Sequence, residues 1–388
     1  MVANEASRLS TKPTGWFQVA WSAEVGVGEV VSMRYFGQDL VAFRTESGEV
    51  KILDAYCQHL GANLGFGGKV EGECIRCPFH GWLWNGDGRN ELIPYQEERN
   101  SHRRIRSWHV DEKNESIYLW HDVEGRSPMF SVQDIFTEMY DDGATADDYY
   151  PAYPHGTKKW EGMTLHPQMV MENGVDFAHF QYVHRSGSLP RFTYQKLDTW
   201  TFDTSFEMTF GEGKAPTPLT PNGEVIGGVH AHTEGLGIGA ALFWGPDTMR
   251  TIVSATPIDD ETSTLFSTVW LPRRADKDGN VNTGPMPESL QPRMDMATLQ
   301  VERDLNIWAN QIYLEPPSLA TSEGTGYRAV RNWAKRFYPD VQATEAEAAA
   351  KESEESPQAI SAVISPLKER MVESRLRFED VYEGLANV

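Results

Sequence analysis

Between Tyr56 and Trp84 the chain reads YCQHLGANLGFGGKVEGECIRCPFHGWLW, and two short pairs stand out: Cys57-x-His59 and Cys77-x-x-His80, with seventeen residues between them. Together they offer two thiolates and two imidazoles. That set suits a [2Fe–2S] centre in which the two Cys hold one iron and the two His the other. Each pair would sit at the tip of its own loop, with the tips facing each other. Gly61, Gly65, Gly67, Gly68 and Gly81 crowd these tips, where backbone must approach sulfide and donate N–H groups. The same four side chains could hold zinc, but zinc fingers usually pair Cys with Cys and His with His. The third cysteine, Cys74, reads as a small buried apolar residue beside the second pair.

A second cluster of chemistry lies in MVMENGVDFAHFQYVHRSG, residues 169–187, which contains Asp176, His179 and His184. Asp176 and His179 share a face if helical. His179 and His184 are five apart, about 140° around an ideal helix, so they converge on one ion only if the helix distorts or ends between them. A bare His pair at this spacing can equally be structural. A partner comes from further along. Leu290, Met294, Ala297, Val301, Leu305, Trp308 and Ile312 step by three or four, which predicts one long amphipathic helix over Glu288–Tyr313. Asp304 falls on its apolar stripe, where a carboxylate is costly unless paired or bound to metal. It is the natural third ligand for His179 and His184; the alternative is a place at the stripe's edge, against water or Arg303. Trp308, one turn on, is either a pocket wall or a plain core residue.

The elements that would position these groups are mostly strands. Phe17–Trp21, Val30–Tyr35, Leu40–Arg44 and Val50–Asp54 precede the first loop; Trp82–Trp84, Glu91–Ile93, Arg104–His109 and Ile117–His121 follow the second. Thr199–Thr204, Ser205–Phe210, Val225–His230, Ala240–Trp244, Arg250–Pro257 and Thr264–Pro272 read as a later antiparallel sheet. His230 and His232 share one strand face and read as ordinary strand residues. The basic run His102, Arg103, Arg104, Arg106 is either a solvated strand face or a docking patch for an acidic electron-donor protein. Thr344–Ser356 is acidic and biased, a solvated helix or linker, and Leu367–Leu385 reads as a last helix.

A chain of 388 residues suffices for two cores. Its net charge of −21 disfavours nucleic acid and anionic membranes as partners. Three cysteines, two of them assigned to iron, leave no disulfide to form, and no apolar run is long enough to span a bilayer. These features predict a cytoplasmic protein.

With both motifs in view, the chain resembles the Rieske non-haem iron oxygenases, α-type terminal components, over about residues 15–338. Cys57, His59, Cys77 and His80 match the family's C-x-H…C-x-x-H motif; Asp176, His179 and His184 match its D-x-x-H-x₄-H motif; Asp304 in RDLNIWANQIY matches its late-helix Asp. Two His and one carboxylate make a facial triad for Fe(II) with positions left open for oxygen. The run HLGANLGFGGKVEGECIRCPFHGWLWNGDGR is similar to the steroid-acting members, the bacterial 3-ketosteroid 9α-hydroxylase oxygenase components and the animal cholesterol 7-desaturases. The resemblance implies an α+β fold: an N-terminal all-β Rieske [2Fe–2S] domain, then a helix-grip (START-like) domain with an antiparallel sheet and a long C-terminal helix. Its boundaries are expected as a tail at 1–14, the Rieske domain at 15–125 and the catalytic domain at 126–388. It further implies one Rieske cluster and one Fe(II) per subunit, O₂ as co-substrate, and NADH or NADPH acting only through a flavin/iron–sulfur reductase. A head-to-tail homotrimer is implied too, in which Asp176 links one subunit's cluster to its neighbour's iron. The expected reaction inserts one oxygen atom into a C–H bond of a large apolar, steroid-like substrate. Desaturation, demethylation or dioxygenation within the family, and a purely electron-carrying Rieske protein, are the alternatives.

Overall fold

The computed structural model describes residues 9–339, apart from 212, 219, 246, 247, 276 and 277. The expected tail is therefore described only from residue 9, and Thr344–Ser356 and Leu367–Leu385 lie outside the described residues. Eleven strands come first: β1 (Gly15–Trp21), β2 (Val30–Tyr35), β3 (Gln38–Arg44), β4 (Val50–Asp54), β5 (Lys69–Glu71), β6 (Cys74–Arg76), β7 (Leu83–Asn85), β8 (Asn90–Leu92), β9 (Ser107–Trp108), β10 (Val110–Lys113) and β11 (Ser116–His121). They form three small antiparallel sheets, ordered β1-β11-β10, β2-β3-β4-β9 and β5-β6-β7-β8. The first Cys-His pair lies in the β4–β5 connection and the second in the β6–β7 loop. Both cysteines join a core with Phe43, Leu64, Ile75 and Trp84.

The rest is built on one seven-stranded antiparallel sheet. Its strands are β12 (Thr157–Met163), β13 (Arg191–Leu197), β14 (Thr201–Phe210), β15 (Val225–Glu234), β16 (Ile238–Trp244), β17 (Arg250–Pro257) and β18 (Ser263–Trp270), ordered β12-β18-β17-β16-β15-β14-β13. The helices are α1 (Pro167–Met171), α2 (His179–Tyr182), α3 (Gln291–Trp308) and α4 (Gly324–Ala334). Side chains alternate across a strand, and the sheet uses both faces. On β18, Leu265 and Val269 pack toward α3, while Phe266 and Trp270 pack toward the first eleven strands and the segment leading to β12. The joint is also hydrogen-bonded: Trp21 Nε1 donates to Thr268 Oγ1 at 2.9 Å and Phe36 N to the Pro257 carbonyl at 2.8 Å. The fully buried Arg250 reaches from β17 to both carboxylate oxygens of Asp142 at 2.6 Å, pinning the linker to the sheet.

Several expectations need correction. Thr199–Thr204 and Ser205–Phe210 are one strand, since Phe202, Thr204, Phe206 and Met208 alternate inward without a break. Arg104–His109 shrinks to the two residues of β9, and His102, Arg103 and Arg104 are exposed loop residues. The helix expected over Glu288–Tyr313 opens with a 3₁₀ turn at Glu288–Leu290 and ends at Trp308. There Asn310 N bonds back to Ile307, a 3₁₀ tightening that closes the helix and leaves Ile312 outside it, 63% exposed. Cys74 is half-buried on β6 rather than part of the core. Helix α4 and strands β5, β6, β10, β12 and β13 were not legible as elements.

Candidate active site

The two cysteine loops are built alike. In the first, Gly61 N donates to the Cys57 carbonyl at 2.9 Å, and Cys57 N donates to Ala62; in the second, Gly81 N donates to Cys77 at 3.1 Å, and Cys77 N donates to Trp82. Gly61 and Gly81 sit at φ +76° and +75°, the left-handed region that glycine enters without a steric penalty. The thiols end up inside, with Cys57 and Cys77 at most 3% exposed, and the imidazoles at the half-buried rim. The His59 and His80 rings are 4.6 Å apart, and His59 stacks on Trp82 at 4.5 Å. Trp84 Nε1 donates to Cys57 Sγ at 3.3 Å.

The fit to a two-iron cluster rests on these contacts. Burial pushes the Cys57 thiol up to about 11, so this sulfur stays neutral unless a metal draws its proton off. His80 Nδ1 is buried without a hydrogen-bond partner, a costly state for a ring nitrogen that ligation would relieve. Two inner sulfurs and two outer nitrogens, on mirrored loops, match the sulfur-bound and imidazole-bound irons of a Rieske cluster.

The second cluster forms where α2 ends. His179 begins α2, which stops at Tyr182. Arg185 then turns at φ +58°, and this early end brings His184 back to His179, with ring centroids 4.9 Å apart. Asp304 reaches them from α3: His184 Nε2 lies 3.4 Å from its Oδ1, and one ligand atom of each of the three residues falls within 4.8 Å of the others. Asp304 is 8% exposed, which places it on the buried stripe. The His179 tautomer is set by Nδ1–H donating to the Asp176 carbonyl at 2.5 Å, which leaves Nε2 as the ligand atom. Burial opposes the charged form of His179, yet Asp176 and Asp304 outweigh it and raise its pKa. A field that draws a proton so strongly draws a metal cation as well. His184 Nδ1 is a further buried ring nitrogen without a partner. The triad fits a single ion held on one side.

Asp176 sits just before α2, and its Oδ1 accepts from Ala178 N and His179 N, both at 3.1 Å. Burial pushes its carboxyl up, but bonds from His179 and Tyr327 hold it below the usual range. Tyr327 lies on α4. That helix is tied to the turn before Asp176 by Arg331, which forks onto Glu172 at 3.0 and 2.9 Å. Tyr327, Arg331 and Trp84 act through other residues, and no spacing marked them. His230 and His232 sit on the sheet face away from the triad, where His232 Nδ1 meets Asp203 at 2.6 Å.

Between the sheet and α3 runs a cavity of about 420 Å³, within the range of small-molecule sites. His179, His184 and Asp304 form part of its wall, and Phe206, Met208, Val229, Phe243 and Trp308 make much of the rest apolar. Trp308 thus serves both readings: it lines the cavity and packs with Leu165 and Leu265 in the core.

A paired-loop [2Fe–2S] domain joined to a sheet-and-helix domain with a two-His, one-carboxylate triad defines a Rieske-type non-haem iron oxygenase. The solved structures agree on the fold. Dicamba monooxygenase bound to dicamba aligns with a TM-score of 0.57 at 16% identity, covering 85% of this chain and 98% of that one. A Pseudomonas putida CBB5 NdmA variant with theobromine aligns with a TM-score of 0.58 at 14% identity, covering 82% and 89%. In sequence, the Rieske [2Fe–2S] domain model matches residues 15–109, and the model of the 3-ketosteroid 9α-hydroxylase C-terminal domain matches residues 119–338, more than half the chain. The chain belongs to the 3-ketosteroid 9α-hydroxylase family. A 3-ketosteroid-9-alpha-monooxygenase oxygenase component of Rhodococcus rhodochrous is 28% identical over 352 residues, 86% of each chain. A cholesterol 7-desaturase of Hemicentrotus pulcherrimus is 38% identical over 196 residues, 48% of this chain and only 40% of that one. No described helix is long and apolar enough to cross a membrane.

Proposed function

We propose that this chain is the terminal oxygenase component of a multicomponent monooxygenase that adds one oxygen atom of O₂ to a C–H bond of a steroid-like substrate. The observation that carries the reading is the apolar cavity of about 420 Å³ with His179, His184 and Asp304 in its wall. It offers a large apolar molecule a place to bury one carbon beside the ion that these residues would hold. The relatives' named substrates, a 3-ketosteroid and cholesterol, share that character.

The residues have separate tasks. Cys57, His59, Cys77 and His80 would hold one [2Fe–2S] cluster, and His179, His184 and Asp304 one Fe(II). When bound, these groups deliver electrons and activate dioxygen. The Asp176 carbonyl fixes His179 by accepting from Nδ1–H, and the Asp176 carboxylate, already held by Ala178 N, His179 N and Tyr327, would also bridge toward a neighbouring subunit's histidine. The cavity's apolar walls orient the substrate and keep water from the triad.

The assembly we propose is a head-to-tail homotrimer fed by a flavin/iron–sulfur reductase that draws on NADH or NADPH, in the cytoplasm. Large apolar side chains stand out at the rims of both sites: Leu60 (66% exposed) and Phe79 (61%) beside the cluster ligands, and Tyr182 (79%) between His179 and His184. Such exposure at paired sites suits surfaces that cover each other. The three free cysteines suit a reducing compartment.

A panel of steroids, terpenoids and aromatic acids, incubated with chain and reductase and read by mass, tests the substrate. Gain of one oxygen on steroids is the expected result; loss of two hydrogens would move the reading to the desaturases, which the 38% identity of the Hemicentrotus pulcherrimus enzyme's segment favours as the second choice. Turnover on aromatic acids alone would overturn it. Asp176→Ala should retain both metals yet uncouple electron uptake from product; normal coupled turnover in that variant removes the bridge.

A further inference from the structure

Arg89 and Arg104 stand directly opposite each other in an antiparallel bridge that joins the start of β8 to the segment leading into β9. Ile105 N donates to the Gly88 carbonyl at 2.9 Å, so the two arginines form a non-hydrogen-bonded pair, the kind whose side chains stand closer on one face. Gly88 permits the approach: it sits at φ +74°, and a Cβ there would run into the Ile105 carbonyl. Like charges set directly opposite each other destabilise a sheet. Both side chains are exposed, and among the described residues neither has a hydrogen-bond or ion-pair partner. The nearby Glu91 is already held by Arg99 at 2.7 Å and by Asn85 at 2.6 Å. Arg103 and Arg106 flank the pair and are exposed too, with Arg106 lying 3.7 Å over the Trp108 ring.

We infer that this face receives the electron donor, and that Arg89, Arg104 and their flanking arginines seat an acidic iron–sulfur domain of the reductase. The inference rests on the proposed reductase-fed oxygenase and names where its donor docks and by what chemistry. One electron at a time leaves the donor's iron and enters the cluster that Cys57, His59, Cys77 and His80 would hold; no bond is made or broken. Position supports the assignment. Ile105, between Arg104 and Arg106, points inward and belongs to the same core as Cys57, Cys77 and Trp84. The arginine segment is thus the outside of the core that holds both sulfur ligands. The histidine rim, with Leu60 and Phe79 exposed, is apolar and suits the neighbouring subunit, so the donor needs another face of this domain.

Charge decides the partner. A chain of net charge −21 repels an acidic protein over most of its surface, so a local group of arginines both attracts such a partner and fixes where it lands. Exposed guanidiniums pair with carboxylates through two parallel bonds, which orients the docked domain. Charge at a sheet edge can also ward off a further strand, but Arg89 and Arg104 already pair with each other across the bridge.

The test uses the full, iron-loaded chain and, as probe, an acidic plant-type ferredoxin, whose potential of about −400 mV lies below that of Rieske centres. Binding of the oxidised probe is read by calorimetry, and reduction of the cluster by the reduced probe is read by stopped flow. Between about 0.1 M and 1 M salt the screening length falls from about 10 Å to about 3 Å. Wild-type binding and reduction should weaken over that range by roughly tenfold, whereas repulsion by the net charge alone would make both rise with salt. Arg89→Gln/Arg104→Gln should lose roughly tenfold at 0.1 M and most of the salt dependence. Arg191→Gln/Lys196→Gln, which removes the same charge from exposed positions on β13, should stay within about twofold of wild type. Wild-type rates that rise with salt, or an arginine variant that matches the β13 control, overturn the inference and leave the oxygenase reading standing. Loss of the wild type's oligomeric state in Arg89→Gln/Arg104→Gln would give the face to a second copy of this chain and overturn it too. Absence of a reduced-cluster spectrum when the wild type is treated with dithionite overturns both readings.

Discussion

Trp84→Phe should lower the reduction potential of the iron–sulfur centre. The Trp84 ring is fully buried, and its Nε1–H points at Cys57 Sγ, 3.3 Å away. Reduction adds negative charge to the cluster and its sulfurs, so a donor aimed at one of them is worth more in the reduced state. A hydrogen bond to a neutral acceptor contributes about 1 kcal/mol and one to a charged acceptor about 2 kcal/mol, so the difference favouring reduction is about 1 kcal/mol. For a one-electron couple, 59 mV corresponds to about 1.4 kcal/mol, which gives a drop of roughly 40 mV. Phenylalanine keeps an aromatic ring in the slot between Cys57, Ile75 and Trp82, so the loops keep their packing. The assay is a redox titration followed by the low-field resonance of the reduced cluster. Trp82→Phe is the control: its Nε1–H goes to Tyr95 Oη at 2.7 Å rather than to sulfur. A shift below about 10 mV in Trp84→Phe, or an equal shift in the control, refutes the hydrogen-bond argument.

Other outcomes are expected. Asp304→Ala should cut iron from about three atoms per chain to about two, with the reduced-cluster spectrum intact, if the proposed assignment of Asp304 to the single-ion site and of four separate ligands to the cluster holds. Metal analysis decides it, and loss of all iron would show the two sites to be interdependent. For His232, burial opposes the proton, but Asp203 and Glu234 outweigh it and raise its pKa to about 9. A histidine with a raised folded pKa stabilises fully below its unfolded value of about 6.5, and loses that contribution as pH rises through about 9. The unfolding free energy from denaturant titrations should thus fall by about 2 kcal/mol between neutral pH and pH about 9.5 in the wild type, and fall less in His232→Gln. Parallel slopes in the two proteins would remove His232 as the source.

Most of the chemistry was legible because it is local. The Cys57–His59 and Cys77–His80 pairs need only short loops, and their residue types suggest the proposed ligand set. Asp304 could be found because a carboxylate on an apolar stripe needs a partner, and the stripe is set by helical period alone. Tyr327, Arg331 and Trp84 were out of reach because their roles exist only once distant segments meet. Arg331 and Glu172, for example, are 159 positions apart. Short strands such as β5 and β6 lack the length to show a period. The end of α3 was misjudged because Ile312 keeps the apolar spacing after the backbone has already turned at Asn310.

The large sheet is a partition with a different tenant on each side. Along β15 to β18, neighbouring residues alternate between the chamber beside α3 on one side and the seam with the iron–sulfur domain on the other. Val229, Ala241 and Val253 look into the chamber, while Leu242, Ile252 and Phe266 hold the seam. The chamber can therefore be resized at every second position without loosening the joint behind it. Diversification toward new substrates within such a scaffold should collect at those alternate positions, while the intervening ones stay fixed by the demands of the seam.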